Sequence, residues 1–260
     1  MIDFHNHIIP NLDDGSKSVD MSLDMLKEAQ AQGITDIVNT VHYQHPKMEK
    51  KNTSYKFIID EINNLQKIAY DNNINIKIHA ASEVFFKFNL TEILDNPITT
   101  FGNKKYMLIE FQRLSFPKGY EDEIFKVQLE GITPIIAHPE RYRGIQQDIT
   151  LAKEWIDRGY LIQIDCASII GGFGKDTQIA ATELLKNGLC HLIGSDAHNN
   201  KNRNFLLKPA LLEAKKIIGN ESVLIIQNNS KKILNGGTPL SYSKQYKKSS
   251  FFSKISSYFR

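Results

Sequence analysis

Short apolar segments alternate with amphipathic segments along most of the chain, and this alternation limits the possible folds more than any other feature. Strand-length segments that alternate with segments of helical periodicity are typical of parallel sheets, because each helix returns the chain to the same edge of the sheet. The sequence therefore predicts an α/β fold. Strands are expected at residues 1–7, 34–41, 74–81, 106–109, 133–137, 160–165 and 191–194.

Helices are expected between these strands. Ser18 precedes an apolar segment of helical periodicity and is a suitable N-cap for it, and Gly33 is a suitable end. A chain of 260 residues can bury a large core, either as one barrel or as two smaller domains. The remaining helices are expected at residues 53–72, 120–130, 151–158, 177–187, 205–218 and 221–234.

A histidine or a carboxylate follows nearly every predicted strand. His5 and His7 lie two residues apart at the end of the first strand, so their side chains point to the same side. The C-terminal ends of barrel strands meet at one face. One such residue is often structural, but nine at corresponding positions predict a shared site, most simply a metal site. The nine residues are His5, His7, Asp14, His42, Glu83, Glu110, His138, Asp196 and His198.

The two cysteines, Cys166 and Cys190, are too few for a disulfide scaffold and are interpreted as buried core residues in a reducing compartment. A cysteine phosphatase needs an arginine that closes a phosphate-binding loop, and the sixth positions after the two cysteines hold Gly172 and Asp196 instead. The sequence shows neither a signal-peptide pattern nor an apolar stretch of membrane-spanning length. These observations predict a cytoplasmic protein without a cysteine nucleophile.

The net charge of +3 comes from the C-terminal end of the chain. Residues 241–260 contain five basic and no acidic residues, so residues 1–240 have a net charge of −2 and are not expected to bind nucleic acid. The tail also carries apolar residues at helical spacing, a pattern typical of segments that bind an anionic membrane or an acidic partner. A solvated extension without regular structure is the alternative interpretation. The apolar residues are Phe251, Phe252, Ile255, Tyr258 and Phe259.

Six short segments carry a resemblance to known proteins. They are Asp3-Phe4-His5-Asn6-His7, Thr40-Val41-His42, Ser82-Glu83, Glu110, Ala137-His138-Pro139-Glu140-Arg141 and Gly194-Ser195-Asp196-Ala197-His198. Together they resemble the polymerase-and-histidinol-phosphatase (PHP) superfamily. Over about residues 1–236 the chain is similar to the manganese-dependent bacterial protein-tyrosine phosphatases associated with capsule and exopolysaccharide synthesis. Val41 is a departure, since many relatives have proline before that histidine.

The resemblance implies a distorted parallel (β/α)7 barrel of PHP type at residues 1–240, with the metal site at the C-terminal strand ends, and a separate tail at residues 241–260. It implies three divalent ions, Mn²⁺ with Fe²⁺ or Zn²⁺ as alternatives, and imidazole and carboxylate ligands without thiolate suit these metals. It assigns Arg141 and Arg203 to the phosphoryl oxygens. The implied ligand sets are His5, His7, Glu83 and Asp196, then Glu83, Glu110 and His138, and then Asp14, His42 and His198.

The implied reaction removes phosphate from phosphotyrosine in a protein, such as a tyrosine kinase of the polysaccharide-export machinery at the inner face of the membrane. A tyrosine phenolate, with a pKa of about 10, leaves more readily than a serine alkoxide. The sequence offers no obvious general acid beside the site, which favours an aryl phosphate. A small-molecule phosphatase of the histidinol-phosphate type, a nucleic-acid phosphoesterase and a binding module without activity remain alternatives.

Further expectations concern residues around the site. Pro139 favours an extended backbone at His138. His45 is expected at the pocket rim, whereas His79 and His191 are expected to be structural. An open cleft is expected, with an aromatic and basic rim made of Tyr43, Phe116, Lys118 and Tyr142.

Overall fold

A computed structural model describes residues 1–48 and 54–242, so the predicted apolar stripe of the tail lies outside the described residues. In the described part of the chain, seven parallel strands pair in chain order and curl into a barrel. The first and last strands meet at a seam, where the Asp196 amide donates to the His5 carbonyl at 2.7 Å. The predicted α/β barrel is confirmed. The strands are β1 (Ile2–Asn6), β2 (Asp36–Tyr43), β3 (Lys77–Phe85), β4 (Tyr106–Glu110), β5 (Thr133–Ala137), β6 (Leu161–Asp165) and β7 (Leu192–Gly194).

Helices pack against the outside of the barrel. They are α1 (Val19–Ala31), α2 (Tyr55–Asp71), α3 (Tyr120–Leu129), α4 (Arg143–Gln147), α5 (Thr150–Asp157), α6 (Cys166–Ile169), α7 (Lys175–Lys186) and α8 (Leu207–Leu234), with 3₁₀ turns at Thr91–Ile93, Pro97–Thr99 and Pro139–Arg141. Ser18 caps α1 as predicted, because its Oγ accepts a hydrogen bond from the Met21 amide at 3.1 Å. Gly219, with φ +82°, interrupts α8 and separates the two helices predicted there. Within the described ranges, no helix has both the length and the apolar character needed to cross a bilayer.

Two strands begin more than one residue later than their apolar segments predict: β2 by two residues and β3 by three. The first apolar residue of each segment closes the preceding helix instead. The Ile34 amide donates to the Ala29 carbonyl at 3.1 Å, and the Ile74 amide donates to the Ala69 carbonyl at 2.9 Å. Such bonds from beyond the helix end are typical of glycine or asparagine C-caps with an apolar residue next in sequence. Both strands also end later than predicted, at Tyr43 and Phe85.

Apolar side chains pack in two layers. The inner cluster takes at least one side chain from each strand and fills the barrel, and the outer cluster lies between the strands and the helices. Cys166 and Cys190 belong to the outer cluster and are buried free thiols, and burial raises the pKa of both. This confirms their interpretation as core residues. The inner cluster includes Phe4, Val38, Ala81, Leu108, Ile135, Leu161 and Leu192.

Candidate metal centre

The nine predicted ligand residues lie together at the C-terminal end of the barrel. Each belongs to at least one group whose donor atoms lie within 4.8 Å of one another. Of the nine, only Asp14 has a largely exposed side chain, at 51%. The groups are His7, Asp14, His42 and His198; His5, His7 and Asp196; His5, Glu83 and His138; and His42, Glu83 and Glu110.

His5 and His7 are each held by a hydrogen bond at the ring nitrogen that points away from the site. The His5 Nδ1 lies 2.9 Å from the Gln163 Oε1, and the His7 Nδ1 lies 2.7 Å from the Asp13 Oδ2. Both partner oxygens are acceptors, so each Nδ1 carries the proton and each Nε2 faces the site. The two Nε2 atoms lie 3.3 Å apart. Neutral imidazoles would turn two lone pairs toward each other at this distance, so the pair requires a cation or a proton between them.

Glu83 lies at the centre of the cluster. Its Oε1 accepts from the His138 Nε2 at 2.7 Å, and its Oε2 lies 3.2 Å from both the His5 Nε2 and the His42 Nδ1. Burial raises the pKa of Glu83, but the positive charges of His5 and His42 outweigh it and hold the pKa well below its ordinary value. Burial and the Glu83 charge raise the pKa of the neighbouring Glu110. Two neighbouring carboxylates repel each other when both are charged, and bound cations stabilise this charged form.

Asp14 reaches the site from the loop after β1. Its Oδ1 lies 3.3 Å from the His42 Nε2 and 3.2 Å from the His198 Nε2. The His198 Nδ1 donates to the Asp196 carbonyl at 2.9 Å, which turns the Nε2 toward Asp14. Asp13 points elsewhere and accepts from the His42 amide at 3.2 Å. The two adjacent aspartates therefore have different roles: Asp14 offers an oxygen to the site, and Asp13 supports the residues that form it.

Some buried polar atoms at this end have no hydrogen-bond partner among residues 1–48 and 54–242. They include the Glu110 Oε2 and the His42 Nδ1, which lies 3.2 Å from the Glu83 Oε2 but does not form a hydrogen bond with it. Buried polar atoms without partners are costly and uncommon in folded proteins. Both residues belong to a group close enough to share one ion. Imidazole nitrogens and carboxylate oxygens without thiolate therefore fit divalent ions such as Mn²⁺, Fe²⁺ or Zn²⁺.

Two site residues have left-handed backbone conformations, with φ of +33° at His138 and +50° at Asp196. The extended backbone predicted at His138 is therefore wrong. The prediction considered only the local effect of Pro139, whereas the imidazole contact with Glu83 at 2.7 Å holds His138 in place. Non-glycine residues in this region cost about 1–3 kcal/mol and persist where the surroundings hold them. The resulting turn brings Arg141 back over the site.

The two predicted arginines converge on one carboxylate. The Arg141 Nη1 donates to the Asp196 Oδ2 at 2.7 Å and to the Asp165 Oδ2 at 2.9 Å, and the Arg203 Nη2 donates to the same Asp196 Oδ2 at 2.6 Å. Burial lowers the pKa of Arg141, but the charges of Asp196 and Asp165 outweigh it and raise the pKa. The Arg203 Nε is buried and has no partner within the described part of the chain. This end of the barrel thus presents fixed positive charge and an unused donor.

A pocket of about 580 Å³ opens over the cluster. The residues named for the aromatic and basic rim are wrong, because Tyr43, Phe116, Lys118 and Tyr142 do not line this pocket. Tyr142 is fully buried, and its hydroxyl accepts from the Phe111 amide at 2.9 Å. Such a contact joins residues far apart in sequence, so local patterns do not show which aromatic residues pack inward.

The observed rim combines basic and apolar side chains. His45 lies there, as predicted, together with Lys47 and Arg113. The nearby charge of Arg141 lowers the pKa of Arg113, so these cations lie close enough to interact. Phe85 and several further apolar side chains complete the wall. The mouth therefore suits an anionic ligand that also carries an apolar group.

The residues that support the site were not predicted from the sequence. Asp13 and Gln163 hold two of the histidines, and Asp165 holds an arginine. Asp3 accepts from the Ser195 amide at 2.9 Å and from its hydroxyl at 3.0 Å, which fixes the segment just before a predicted ligand. One signal was present: Gln163 and Asp165 are polar residues in the otherwise apolar strand β6. Polar residues in a buried strand need partners.

His79 and His191 are structural, as predicted. The His79 Nε2 lies 2.9 Å from the Asp36 Oδ1 at the start of β2. The Ile162 amide donates to the His191 Nδ1 at 3.2 Å. Both histidines lie near the N-terminal ends of the strands, away from the pocket.

Comparison with known proteins identifies the family. Residues 1–235 match the family described as capsular polysaccharide synthesis, CpsB/CapC. The chain is 34% identical to CapC of Staphylococcus aureus, over 80% of this chain and 81% of that protein. It is 31% identical to the tyrosine-protein phosphatase YwqE of Bacillus subtilis, over 92% of this chain and 93% of that protein.

Solved structures agree. One from work on YwqE of Bacillus subtilis and CpsB of Streptococcus pneumoniae, described as metal-dependent tyrosine phosphatases, matches with a TM-score of 0.87 at 30% identity, over 94% of this chain and 98% of that chain. Histidinol phosphate phosphatase of Lactococcus lactis matches with a TM-score of 0.53 at 15% identity, which shows a shared fold. The chain belongs to the CpsB/CapC family of capsular polysaccharide synthesis.

Proposed function

We propose that the protein removes phosphate from phosphotyrosine residues of proteins in a metal-dependent reaction. The observation that carries this proposal is the convergence of imidazoles, carboxylates and two arginines on one open pocket. Relatives that cover most of the chain are named tyrosine-protein phosphatases, and a structural relative is described as metal-dependent.

In this proposal the protein binds three divalent ions, which are Mn²⁺ or, alternatively, Fe²⁺ or Zn²⁺. Glu83 would contribute to holding two of them, which is supported by its two oxygens facing different histidines, His138 and His5. Divalent ions at these positions would lower the pKa of a water molecule and offset charge on the phosphoryl group. The assigned sets are His5, His7, Glu83 and Asp196, then Glu83, Glu110 and His138, and then Asp14, His42 and His198.

Arg141 and Arg203 bind the phosphoryl oxygens in this proposal. Their support is the charge that Arg141 retains beside Asp196 and Asp165, and the buried Arg203 Nε, which lacks a partner in the described ranges. Fixed guanidinium groups stabilise charge that develops on phosphoryl oxygens, because they need no reorganisation during the reaction. The chain's own contribution is therefore to orient the phosphoryl group and to keep positive charge around it.

The substrate assigned to the pocket is an aryl phosphate on a flexible protein segment. Phe85 and Phe111 line the pocket and can contact a tyrosine ring, while Lys47 and Arg113 attract the dianion. The family description, capsular polysaccharide synthesis, supports a tyrosine kinase of the polysaccharide-export machinery as the natural substrate.

A substrate panel tests this function. Metal-reconstituted protein is assayed on matched phosphotyrosine, phosphoserine and phosphothreonine peptides, on histidinol phosphate and on an oligonucleotide, and kcat/KM is compared. The proposal predicts the highest value for phosphotyrosine. A clear preference for histidinol phosphate would assign the protein to the small-molecule phosphatases instead.

The proposed place of action is the cytoplasmic face of the membrane, which rests on the basic and aromatic sequence of residues 241–260 alone. Truncation after Tyr242 is the suitable test, because Tyr242 itself packs in the outer apolar cluster and its hydroxyl donates to the Leu185 carbonyl at 2.8 Å. The truncated protein should hydrolyse a small aryl phosphate normally and should sediment less with anionic liposomes. Equal sedimentation of both proteins would contradict the membrane contact.

A further inference from the structure

The loop between α6 and α7 is shaped by glycines around a single aromatic residue. Gly171 and Gly174 have φ of +87° and +94°, a region that other residues rarely adopt. A Cβ on Gly172 would lie 3.3 Å from both the Cβ and the carbonyl oxygen of Ala167, so the backbone passes close to α6. The Gly172 amide donates to that carbonyl at 2.7 Å. The loop therefore has a defined path, and Phe173 lies at its tip.

The Phe173 ring lies against both arginines of the site. The ring centroid is 4.8 Å from the Arg141 Cζ and 5.8 Å from the Arg203 Cζ. Both distances fall within the range in which a guanidinium is attracted to an aromatic face. Phe173 is half-buried and does not line the pocket itself. Its ring therefore contacts the two cations without occupying the space where a substrate would bind.

Among residues 1–48 and 54–242, hydrogen bonds anchor each guanidinium through only one of its nitrogens. Arg141 uses its Nη1 for both Asp165 and Asp196, and Arg203 uses its Nη2 for the Asp196 side chain and, at 3.5 Å, for the Asp196 carbonyl. An anchor at one nitrogen leaves the plane of the group free to turn about that contact. An aromatic face beside the plane restricts this rotation and also offsets part of the repulsion between two adjacent cations.

We propose that Phe173 is a positioning residue that holds Arg141 and Arg203 in the orientation in which they bind phosphoryl oxygens. This inference rests on the proposed function for the role of the two arginines. Loss of the ring, with two cation contacts affected, is expected to weaken phosphate binding and catalysis about five- to thirty-fold.

Phe173→Leu and Phe173→Tyr form the test pair, since leucine keeps an apolar side chain and tyrosine keeps the aromatic face. For metal-loaded protein we would measure metal content, thermal stability, the Kd for inorganic phosphate by calorimetry and kcat/KM on a phosphotyrosine peptide. Phe173→Leu should weaken phosphate binding and lower kcat/KM together, with unchanged metal content, and Phe173→Tyr should restore both. Phe125→Leu, an exposed phenylalanine of α3 outside the pocket, is the matched control and should behave as wild type.

A double-mutant cycle separates positioning from a general effect on the loop. If Phe173 acts through the arginines, Phe173→Leu should cost less in an Arg203→Ala background than in the wild type. Wild-type phosphate affinity in Phe173→Leu, or equal losses in the Leu and Tyr variants, would overturn the inference. Calorimetry with inorganic phosphate keeps this test separate from the proposed function, because it reports on the arginines even if phosphotyrosine is not the substrate.

Discussion

Histidines and carboxylates meet at both ends of the barrel, with different consequences. Near the N-terminal strand ends, the His79 Nε2 lies 2.9 Å from one carboxylate, Asp36, and the His191 Nδ1 accepts a hydrogen bond from the Ile162 amide at 3.2 Å. At the C-terminal end, Glu83 alone lies within 3.5 Å of nitrogens from four histidines. The residue types are the same, but the number of converging groups differs.

The difference shows in the pKa values of two buried histidines. Burial lowers the pKa of His191 to about 4, and no charge among the described residues offsets this effect. Burial also acts on His5, but the carboxylates of Glu83 and Asp196 outweigh it and raise the pKa to about 9. A site that accumulates this much negative charge around imidazoles attracts cations, whereas an isolated histidine can remain neutral. Burial and residue type therefore do not identify a metal site, and convergence does.

The largest effect should follow from removing a ligand at the C-terminal end. Asp196→Asn or His5→Ala should lose bound metal and lower phosphotyrosine hydrolysis to the background rate, with the barrel still folded. His79→Gln is the matched change at the other end and should leave metal content and activity unchanged. Elemental analysis, circular dichroism and a peptide assay on the same samples check this. Full metal content in Asp196→Asn would contradict the assignment.

The arginine variants should show the next largest effect. Arg141→Ala or Arg203→Ala should cost about 2–4 kcal/mol of transition-state stabilisation while metal content stays unchanged, because the arginines bind the substrate rather than the ions. Arg158→Ala, an exposed arginine at the end of α5, serves as control. Kinetics and elemental analysis of the same samples check this prediction. If Arg141→Ala or Arg203→Ala loses metal, that arginine supports the metal ligands instead of binding the substrate.

A smaller effect is expected where a carboxylate orients a ligand without offering itself to the metal. Asp13→Asn keeps the shape of the side chain but removes the charge of the carboxylate whose Oδ2 lies 2.7 Å from the His7 Nδ1. This change should weaken metal affinity or activity about 10- to 100-fold. Asp36→Asn makes the same change beside His79 and should alter neither. Competitive metal titration of the two variants measures the difference, and equal affinities would show that Asp13 does not orient His7.

The smallest effect should come from the isolated histidine and should appear in stability alone. The pKa of His191 is about 4 when folded and 6.5 in the reference state, so the neutral form stabilises the fold above pH 6.5. This contribution is lost as the pH falls from 6.5 toward 4, by up to about 1.4 kcal/mol per pH unit. His191→Asn cannot titrate, so its free energy of unfolding should fall less between pH 6.5 and 5 in denaturant titrations. Parallel losses in both proteins would rule out His191 as the titrating group.

Strand positions could be predicted because they depend on local patterns. The predicted strand at 133–137 has the bounds observed for β5. The gathering of ligand residues also followed, since the C-terminal ends of parallel barrel strands meet at one face. The later start of β2 could not be predicted from the sequence pattern, because an apolar residue such as Ile34 suits both the end of a helix and the start of a strand.

Side-chain direction and supporting contacts could not be predicted, because they depend on residues far apart in sequence. Tyr142 was expected at the rim, but its contact with the Phe111 amide buries it. Gln163 precedes no recognisable motif, yet its amide oxygen lies 2.9 Å from the His5 Nδ1. His138 takes a left-handed backbone against the local preference set by Pro139. In each case a long-range contact outweighs the local pattern.

Metal content and activity measured on one sample test the central claim most directly. The purified protein is analysed for metal and assayed on a phosphotyrosine peptide, then exhaustively chelated, then supplied with Mn²⁺, with both measurements repeated at each stage. We expect three ions per chain in the active protein, loss of activity when the ions are removed, and recovery of activity when Mn²⁺ is added back. Undiminished phosphotyrosine hydrolysis by protein that elemental analysis shows to be free of metal would contradict it.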